Sequence, residues 1–478
     1  MAESRTYDVV VIGGGAIGEN VADRAGRTGL SVVLVEGELV GGECSYWACM
    51  PSKALLRAGA VLAEAHAVGG AAQAVTGQLD RAAVLARRDT FTHDWDDQSQ
   101  VDWLDGVGIA LVRGQARFDG PRRVVVATDD GDEVTLDARR AVVVATGSEP
   151  VIPDVPGLAE VEPWTSRGAT SVQDVPVSLA IIGGGVVAVE MATALSDLGA
   201  KVTVLVRGER LLPGTEPFAG DAVAASLRAL GVDVRFGTEA THAARDEHGV
   251  RLDLAGGGQV RAAQVLAATG RRPRTADLGL EVLGLAADGP LRVDGTGQVT
   301  DVEQGWLYAA GDVTGRTATT HQGKYDARVT GDAIAHRFGV ETADVDGAAP
   351  WSRFRTTADD VAVPQVVFTR PEVASVGLTE QAAREAGRVV RSVTVPFSSV
   401  AGASVAADGY EGTACLVVDT DRQVVLGATF VGPEVAELLH AATIAVVGEV
   451  PVHRLWHAVP AYPTVSEVWL RLLEAYGL

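Results

Sequence analysis

"YDVVVIGGGAIGENVADRAGRTGLSVVLVE", residues 7–36, decides how the chain folds at its start. A β-branched run leads into Gly13, Gly15 and Gly18; a helix-length stretch follows, and a second apolar strand ends at Glu36. Strand, glycine turn, helix, strand and terminal acid together make the context that a dinucleotide-binding fold requires. Gly13 lets the chain turn sharply, Gly15 lets backbone amides approach a pyrophosphate at the helix N-terminus, and Gly18 lets helix and strand pack closely. Glu36 can accept hydrogen bonds from a ribose.

The same pattern returns at "VSLAIIGGGVVAVEMATALSDLGAKVTVLVRGERLL". Gly183 and Gly185 occupy the matching places, and Ala188 stands where the close-packing glycine stood. The terminal acid is replaced by Val206, followed by Arg207 and then Arg210. An acid there binds a free 2′-hydroxyl, whereas arginine suits a 2′-phosphate, so this copy leans towards NADPH unless the two arginines are only solvated loop charges. Two further apolar strands end in a small residue and glycine: "AVVVATGSEP" with Thr146 and Gly147, and "VLAATGRRPR" with Thr269 and Gly270. "LYAAGDVTG" ends in Gly311 and Asp312, and an Asp at such a strand end can hold a sugar-like hydroxyl.

Between the copies lies "GGECSYWACMPSKALLR", residues 41–57, with Cys44 and Cys49 in a C-x4-C loop. Cys415 stands alone in "EGTACLVVD". Three cysteines in 478 residues cannot form a disulfide scaffold, and a close pair is more often catalytic or metal-binding than structural. A loop of this length keeps two sulfurs within bridging distance, while a helix start and a nearby cation favour the thiolate. Lys53 follows Cys49 at i+4, on the same helical face if Pro51 lies in the first turn. Packed thiols that never cycle are the alternative.

Composition bounds the rest. The length implies roughly two to four domains. A charge of −22, from 40 basic and 62 acidic residues, opposes nucleic acid or an anionic membrane as a partner. With no basic leader and no span near twenty apolar residues, the expectation is a cytoplasmic protein. No metal-ligand cluster is legible.

The ordered set of first dinucleotide fold, C-x4-C-x-PSK, ATG, second fold, ATG and GDV resembles the pyridine nucleotide-disulfide oxidoreductases, a family that includes dihydrolipoamide dehydrogenase, glutathione reductase and mercuric reductase. "GQARF" at 114–118, "VVFTRPEVASVGLTE" at 366–380 and "AYPTVSE" at 461–467 extend the likeness along nearly the whole chain. It implies an α/β fold of two Rossmann-like dinucleotide-binding domains plus a C-terminal α+β dimerisation domain. The boundaries expected are 1–155 with 272–345 for FAD, 156–271 for NAD(P), and 346–478 for the interface domain.

The resemblance also implies an electron path. FAD would lie on Gly13, Gly15, Gly18 and Gly42, with Glu36 on its ribose, Ala116 near its adenine, Asp312 on its ribityl chain, and Thr146, Gly147, Lys53, Thr319, Thr320 and His321 around it. NADPH, with NADH as the alternative, would bind over Gly183, Gly185, Ala188, Arg207, Arg210 and Gly270. Hydride would pass to FAD and electrons to the Cys44–Cys49 disulfide, with Cys49 nearer the ring and Cys44 attacking the substrate. Lys53 would pair with Glu190. Alternatives are a quinone or metal-ion reductase using the flavin more directly, and a non-catalytic FAD-bound subunit. A homodimer acting on a small molecule is implied in the first two cases.

One motif departs from the family. Its members end in H-P-T-x-x-E, where histidine handles the thiol proton; here the stretch runs from Tyr462 to Glu467. A phenol with pKa near 10 is a poor base at neutral pH, and losing good acid–base catalysis typically costs about 10²–10⁴-fold. Tyr462, or His457 upstream, is left for the role. The mercuric-reductase features of a leading C-x-x-C domain and a cysteine pair near the tail are missing, and Val186 stands where some relatives place an aromatic gate. Elsewhere, "DRAAVLARRDTFTHDWDDQSQVDWLDGVGIALV" reads as helices with solvated charge on one side, with His93, Trp95 and Trp103 as core or domain-interface packing residues in preference to a ligand patch.

Overall fold

The computed structural model describes residues 3–478 and divides them into two compact units. The first comprises the chain up to Met50, Asp89–Glu149 and Arg271–Asp359; the second comprises Pro51–Arg88, Pro150–Gly270 and Asp360–Leu478.

In the first unit a parallel sheet runs from Ala110–Arg113 through Val32–Glu36 and Glu3–Ile12 to Glu133–Val144. The long Glu133–Val144 strand serves two neighbours: its start pairs antiparallel with Arg123–Ala127, and its end pairs parallel with Leu307–Ala309. Successive residues of the first strand enter different cores. Val9 and Val11 pack with Val21, Ala22 and Ala25 of the Ala16–Gly26 helix, while Val10 and Ile12 pack with Phe118, Val124 and Leu136. Both faces are covered, which explains why the strand is a continuous apolar run instead of an alternating one.

The Thr320–Phe338 helix lies against Ala16–Gly26 through small residues: a Cβ on Gly323 would meet Ile17 Cγ1 at 2.7 Å. This helix buries Asp326, whose carboxyl is pushed up to about 8 by burial and then by the neighbouring Asp359. Against an ordinary value of 3.8, the folded chain therefore binds more protons than the unfolded chain across roughly pH 4–8, and this group's contribution falls as pH rises through that window. Asp326→Asn is expected to raise the melting temperature by about 2–5 °C at pH 8 and to leave it unchanged at pH 4, read from thermal melts at both values.

The second unit holds a parallel sheet in the order Asp233–Arg235, Lys201–Leu205, Ser178–Ile182, Gln264–Ala267, covered by the Val186–Asp197 helix. An antiparallel meander, Ala240–Asp246, Gly249–Leu254 and Gln259–Ala262, is attached in sequence before the last strand. Farther on, five antiparallel strands run Pro364–Val367, Glu372–Gly377, Val424–Gly432, Thr413–Asp419, Val390–Pro396. Leu439 and Ala442 of the Leu439–Val447 helix and Val468 and Leu472 of the Val468–Tyr476 helix fill their core. This is the α/β plus α+β architecture expected.

Two side-chain expectations need correction. Arg88, on a helix read as having solvated charge, is fully buried and donates to the Thr170 and Val172 carbonyls, satisfying backbone acceptors where that chain turns. Trp103 is 40% exposed, so it is not a core residue. No helix among the described residues is long and apolar enough to cross a membrane.

Candidate active site

The cysteine loop is two helices in succession, the first of them opened by glycine. Gly41 at φ 107° and Gly42 at φ 59° open the short Gly42–Tyr46 helix carrying Cys44, and the Cys49–His66 helix starts at Cys49. Cys49 therefore stands at the positive end of a long helix, where a thiolate is favoured. Both side chains are half-buried. Cys49 Sγ lies 3.1 Å from Thr320 Oγ1. A hydrogen bond to Cys49, followed by burial, raises the Cys44 thiol well above its usual range, while Thr320 and the Lys324 ammonium pull it down.

Residues that the sequence did not assign to this loop hold it. Trp95 Nε1 donates to the Tyr46 carbonyl at 3.2 Å, and Val40 N–H donates to Asp97 at 2.6 Å. Arg113 ties Asp97 in turn at 2.5 Å. Arg271 donates to Ser148 Oγ at 2.8 Å, Ser148 donates to Asp312 at 2.6 Å, and Arg271 reaches Glu43 at 3.7 Å. Their signal is only three-dimensional: single polar residues far apart in sequence.

The first glycine turn is shaped as a cradle. Gly13 has φ 101°, and a Cβ there would meet the Ala145 carbonyl oxygen at 2.5 Å. A Cβ on Gly18 would lie 1.8 Å from the Gly13 oxygen. One on Gly15 would meet nothing nearer than Gly42 Cα at 3.9 Å, so the helix N-terminus stays open to a ligand. The Glu36 carboxylate accepts from Gly14 N–H at 2.5 Å and Glu38 N–H at 2.7 Å, and burial raises its pKa despite both donors. Gly114 N–H donates to the Glu36 carbonyl at 3.0 Å, bringing the strand with Ala116 beside this acid. Thr146 Oγ1 donates to the Arg274 carbonyl at 2.6 Å, and the Gly147 carbonyl accepts from Arg274 at 3.0 Å. Thr317 and Thr319 bury hydroxyls with no partner among the described residues, groups a bound polar ligand would satisfy. Cradle, acid and orphaned hydroxyls fit FAD. His321 is exposed.

The second turn repeats the geometry with a different ending. Gly183 has φ 130°, a Cβ on Gly185 would meet nothing, and Ala188 is fully buried. Val206 packs against Gly184 in the position where a carboxylate stands in the first fold. Arg207 is exposed, and Arg210 donates to the Pro213 carbonyl at 2.9 Å. Gly270, at φ 132°, accepts from Val151 N–H at 3.0 Å.

Lys53 and Glu190 meet at 2.8 Å, with Glu190 almost fully buried and also accepting from Phe368 N–H at 3.0 Å. Lys53 Nζ lies 4.9 Å from the Phe368 ring centroid, within cation–π range. At the C-terminus Glu467 is buried, with Oε2 unpartnered among the described residues, whereas Tyr462 is 77% exposed. His457 is exposed too, and neither it nor Tyr462 has a side-chain hydrogen bond among the described residues.

Residues 7–327 match the family described as pyridine nucleotide-disulphide oxidoreductase, and residues 363–472 match its dimerisation domain. The chain belongs to this family. Dihydrolipoyl dehydrogenase 3 of Pseudomonas aeruginosa is 35% identical, with 97% of this chain and 96% of that protein covered. A mercuric reductase of Staphylococcus aureus is 32% identical over 96% of this chain and 81% of its own. Among solved structures, the Cu(II) complex of the HOCl-induced flavoprotein disulfide reductase RclA from Escherichia coli superposes with a TM-score of 0.82 at 26% identity, covering 98% of this chain and 99% of that one. Pyridine nucleotide-disulfide oxidoreductases are FAD enzymes that take NAD(P)H, and this chain carries their two dinucleotide folds and cysteine pair.

Proposed function

We propose that this enzyme oxidises NADPH and reduces a small-molecule disulfide through Cys44 and Cys49, as a homodimer. The observation that carries the reading is Cys49 at a helix start, 3.1 Å from Thr320 Oγ1, with Cys44 on the short helix just before it. Bound FAD would supply the two-electron relay between the reduced nicotinamide and the Cys44–Cys49 disulfide. Cys44 thiolate then attacks an acceptor disulfide, forming a mixed disulfide and releasing one thiolate. Cys49 thiolate displaces the second thiolate from Cys44, which restores the Cys44–Cys49 bond; the two released thiolates take up two protons. Lys53, neutralised by Glu190, keeps a fixed orientation at the start of this helix.

The domain division 1–155 with 272–345, 156–271 and 346–478 accompanies this reading. Support for the homodimer comes from the match to the dimerisation domain and from Val459, which is 86% exposed beside Tyr462 in sequence. NADPH preference rests on Val206 in place of an acid with Arg207 and Arg210 following. Replacing both arginines by alanine is expected to lower kcat/KM for NADPH about 10–100-fold and to leave NADH within twofold, measured as initial rates.

The test is an anaerobic titration with NADPH. Two electrons per subunit should free two thiols, localised to Cys44 and Cys49 by alkylation and mass spectrometry, before the yellow absorbance is lost. Bleaching with the disulfide intact would refute the reading. It would favour the second one, a quinone or metal ion as direct acceptor, which is supported by Tyr462 in place of a proton-handling histidine.

A further inference from the structure

The Cys49–His66 helix does more than carry Cys49 and Lys53. Farther along it Gly59, Ala63 and His66 share a face at helical spacing and form one wall of a cavity of about 520 Å³. The other walls are the Gly77–Arg81 segment, the Asp197–Gly199 stretch that ends the Val186–Asp197 helix, and Arg370. A Cβ on Gly59 would lie 2.0 Å from Asp197 Oδ2 and 2.8 Å from Arg370 Nη1, so bare helix backbone seats an ion pair here. Arg370 donates to Asp197 through both prongs, at 2.6 and 2.5 Å. Leu62, Leu79 and Leu198 supply apolar surface. Arg81 differs from Arg370 in having no ion pair or hydrogen bond among the described residues. Its position is nevertheless fixed: a Cβ on Gly199 would lie 2.1 Å from Arg81 Nη2 and 3.1 Å from Cζ, so the guanidinium packs directly on that glycine. Asp80, its neighbour in sequence, accepts from Ala83 N–H at 3.1 Å and so caps the helix that Arg81 opens.

We propose that this cavity binds a small organic carboxylate, with Arg81 pairing the carboxylate and the leucines covering an apolar body. Charge selects the class. Asp197 already compensates Arg370, so the arginines and acids of the walls leave one guanidinium, which matches a single negative charge. A phosphate dianion would bring a second charge that no cation of the wall meets. The planar guanidinium also fits a planar carboxylate through two parallel N–H···O bonds. The volume falls in the range of roughly 300–1,000 Å³ usual for small-molecule sites. None of the lining residues belongs to the second glycine turn or to the C-x4-C loop, so the site is additional to those already described. It rests on the two helices that hold the Lys53–Glu190 pair: Asp197 follows Glu190 by seven residues on one helix, and Arg370 follows Phe368, whose N–H donates to Glu190.

The experiment titrates the FAD-bound protein with 4-phenylbutyrate at pH 8 by isothermal calorimetry, with no nicotinamide and no acceptor present. Wild type is expected to bind one equivalent per subunit with Kd of about 1 mM, and the uncharged 4-phenylbutyramide at least about tenfold more weakly. Arg81→Gln is expected to weaken 4-phenylbutyrate at least about tenfold, and Arg81→Lys only about threefold, because the charge remains while the fork is lost. Arg81 is exposed, so the Gln variant should fold and keep FAD. Ala63→Phe, which fills the cavity from its helix wall, is expected to abolish binding with Arg81 intact. If that variant fails to fold, Arg81→Gln and the amide decide the matter. Absence of saturable binding by wild type up to about 20 mM would overturn the proposal. Equal binding by Arg81→Gln, or of the amide, would do the same, and tighter binding of phenyl phosphate would overturn the choice of a monoanion. No electron transfer takes part, so failure of the disulfide-substrate reading would leave these titrations as they are.

Discussion

Cys49→Ser is expected to lower NADPH-dependent reduction of a disulfide acceptor by at least about 10³-fold, while NADPH still bleaches the flavin at close to the wild-type rate. A serine hydroxyl at the helix start keeps the bond to Thr320 but cannot close a disulfide with Cys44 or displace a thiolate from it. The dithiol would therefore be absent as a two-electron store. Stopped-flow absorbance separates the two halves of the cycle: reduction by NADPH persists, and reoxidation by the disulfide does not. Turnover with a disulfide within tenfold of wild type would exclude the cysteine route. The same variant tested with a quinone discriminates the acceptors, because direct transfer from the flavin needs neither sulfur.

Gly18→Ala is expected to have the largest effect on the fold. The added methyl would lie 1.8 Å from the Gly13 carbonyl oxygen, and that oxygen belongs to the backbone of a turn at φ 101° that has no freedom to step aside. Either the Ala16–Gly26 helix moves off the sheet or the turn opens, and each spoils the amide cradle at the helix N-terminus. Overpacking of this kind costs about 3 kcal/mol, so the variant should elute without FAD and melt at a lower temperature. Gly15→Ala provides the contrast. Its methyl meets only Gly42 Cα at 3.9 Å, so the apoprotein should melt as wild type while FAD affinity falls. Equal losses of apoprotein stability in both variants would contradict the separate tasks assigned to these glycines. The second fold carries Ala188 at the matching place and buries it completely, so there the helix stands far enough from its turn to admit a methyl.

How far the site could be read from sequence follows from the range of the interactions. The glycine turns, the C-x4-C loop and the strand ends are local: each needs a backbone conformation or spacing fixed within a few residues. The pair of Lys53 and Glu190 was reachable only through likeness to a family, since their spacing of 137 residues leaves no local trace. The braces around the cysteines, Trp95 on Tyr46 and Arg271 on Ser148, had no such guide. Arg88 shows the same limit from the other side. Its helix has the composition of a solvated surface, yet the residue is buried and donates to the Thr170 and Val172 carbonyls, acceptors more than 80 residues away.

By itself the sequence determined two dinucleotide folds, a paired-cysteine loop between them and an α+β domain after them, because periodicity, glycine positions and residue spacing act over one or two elements. Tertiary structure alone decided the electrical surroundings of those cysteines. Thr320 lies 3.1 Å from Cys49 across 271 residues of chain, and a dipole acts through the distance between atoms, which the order of residues does not record.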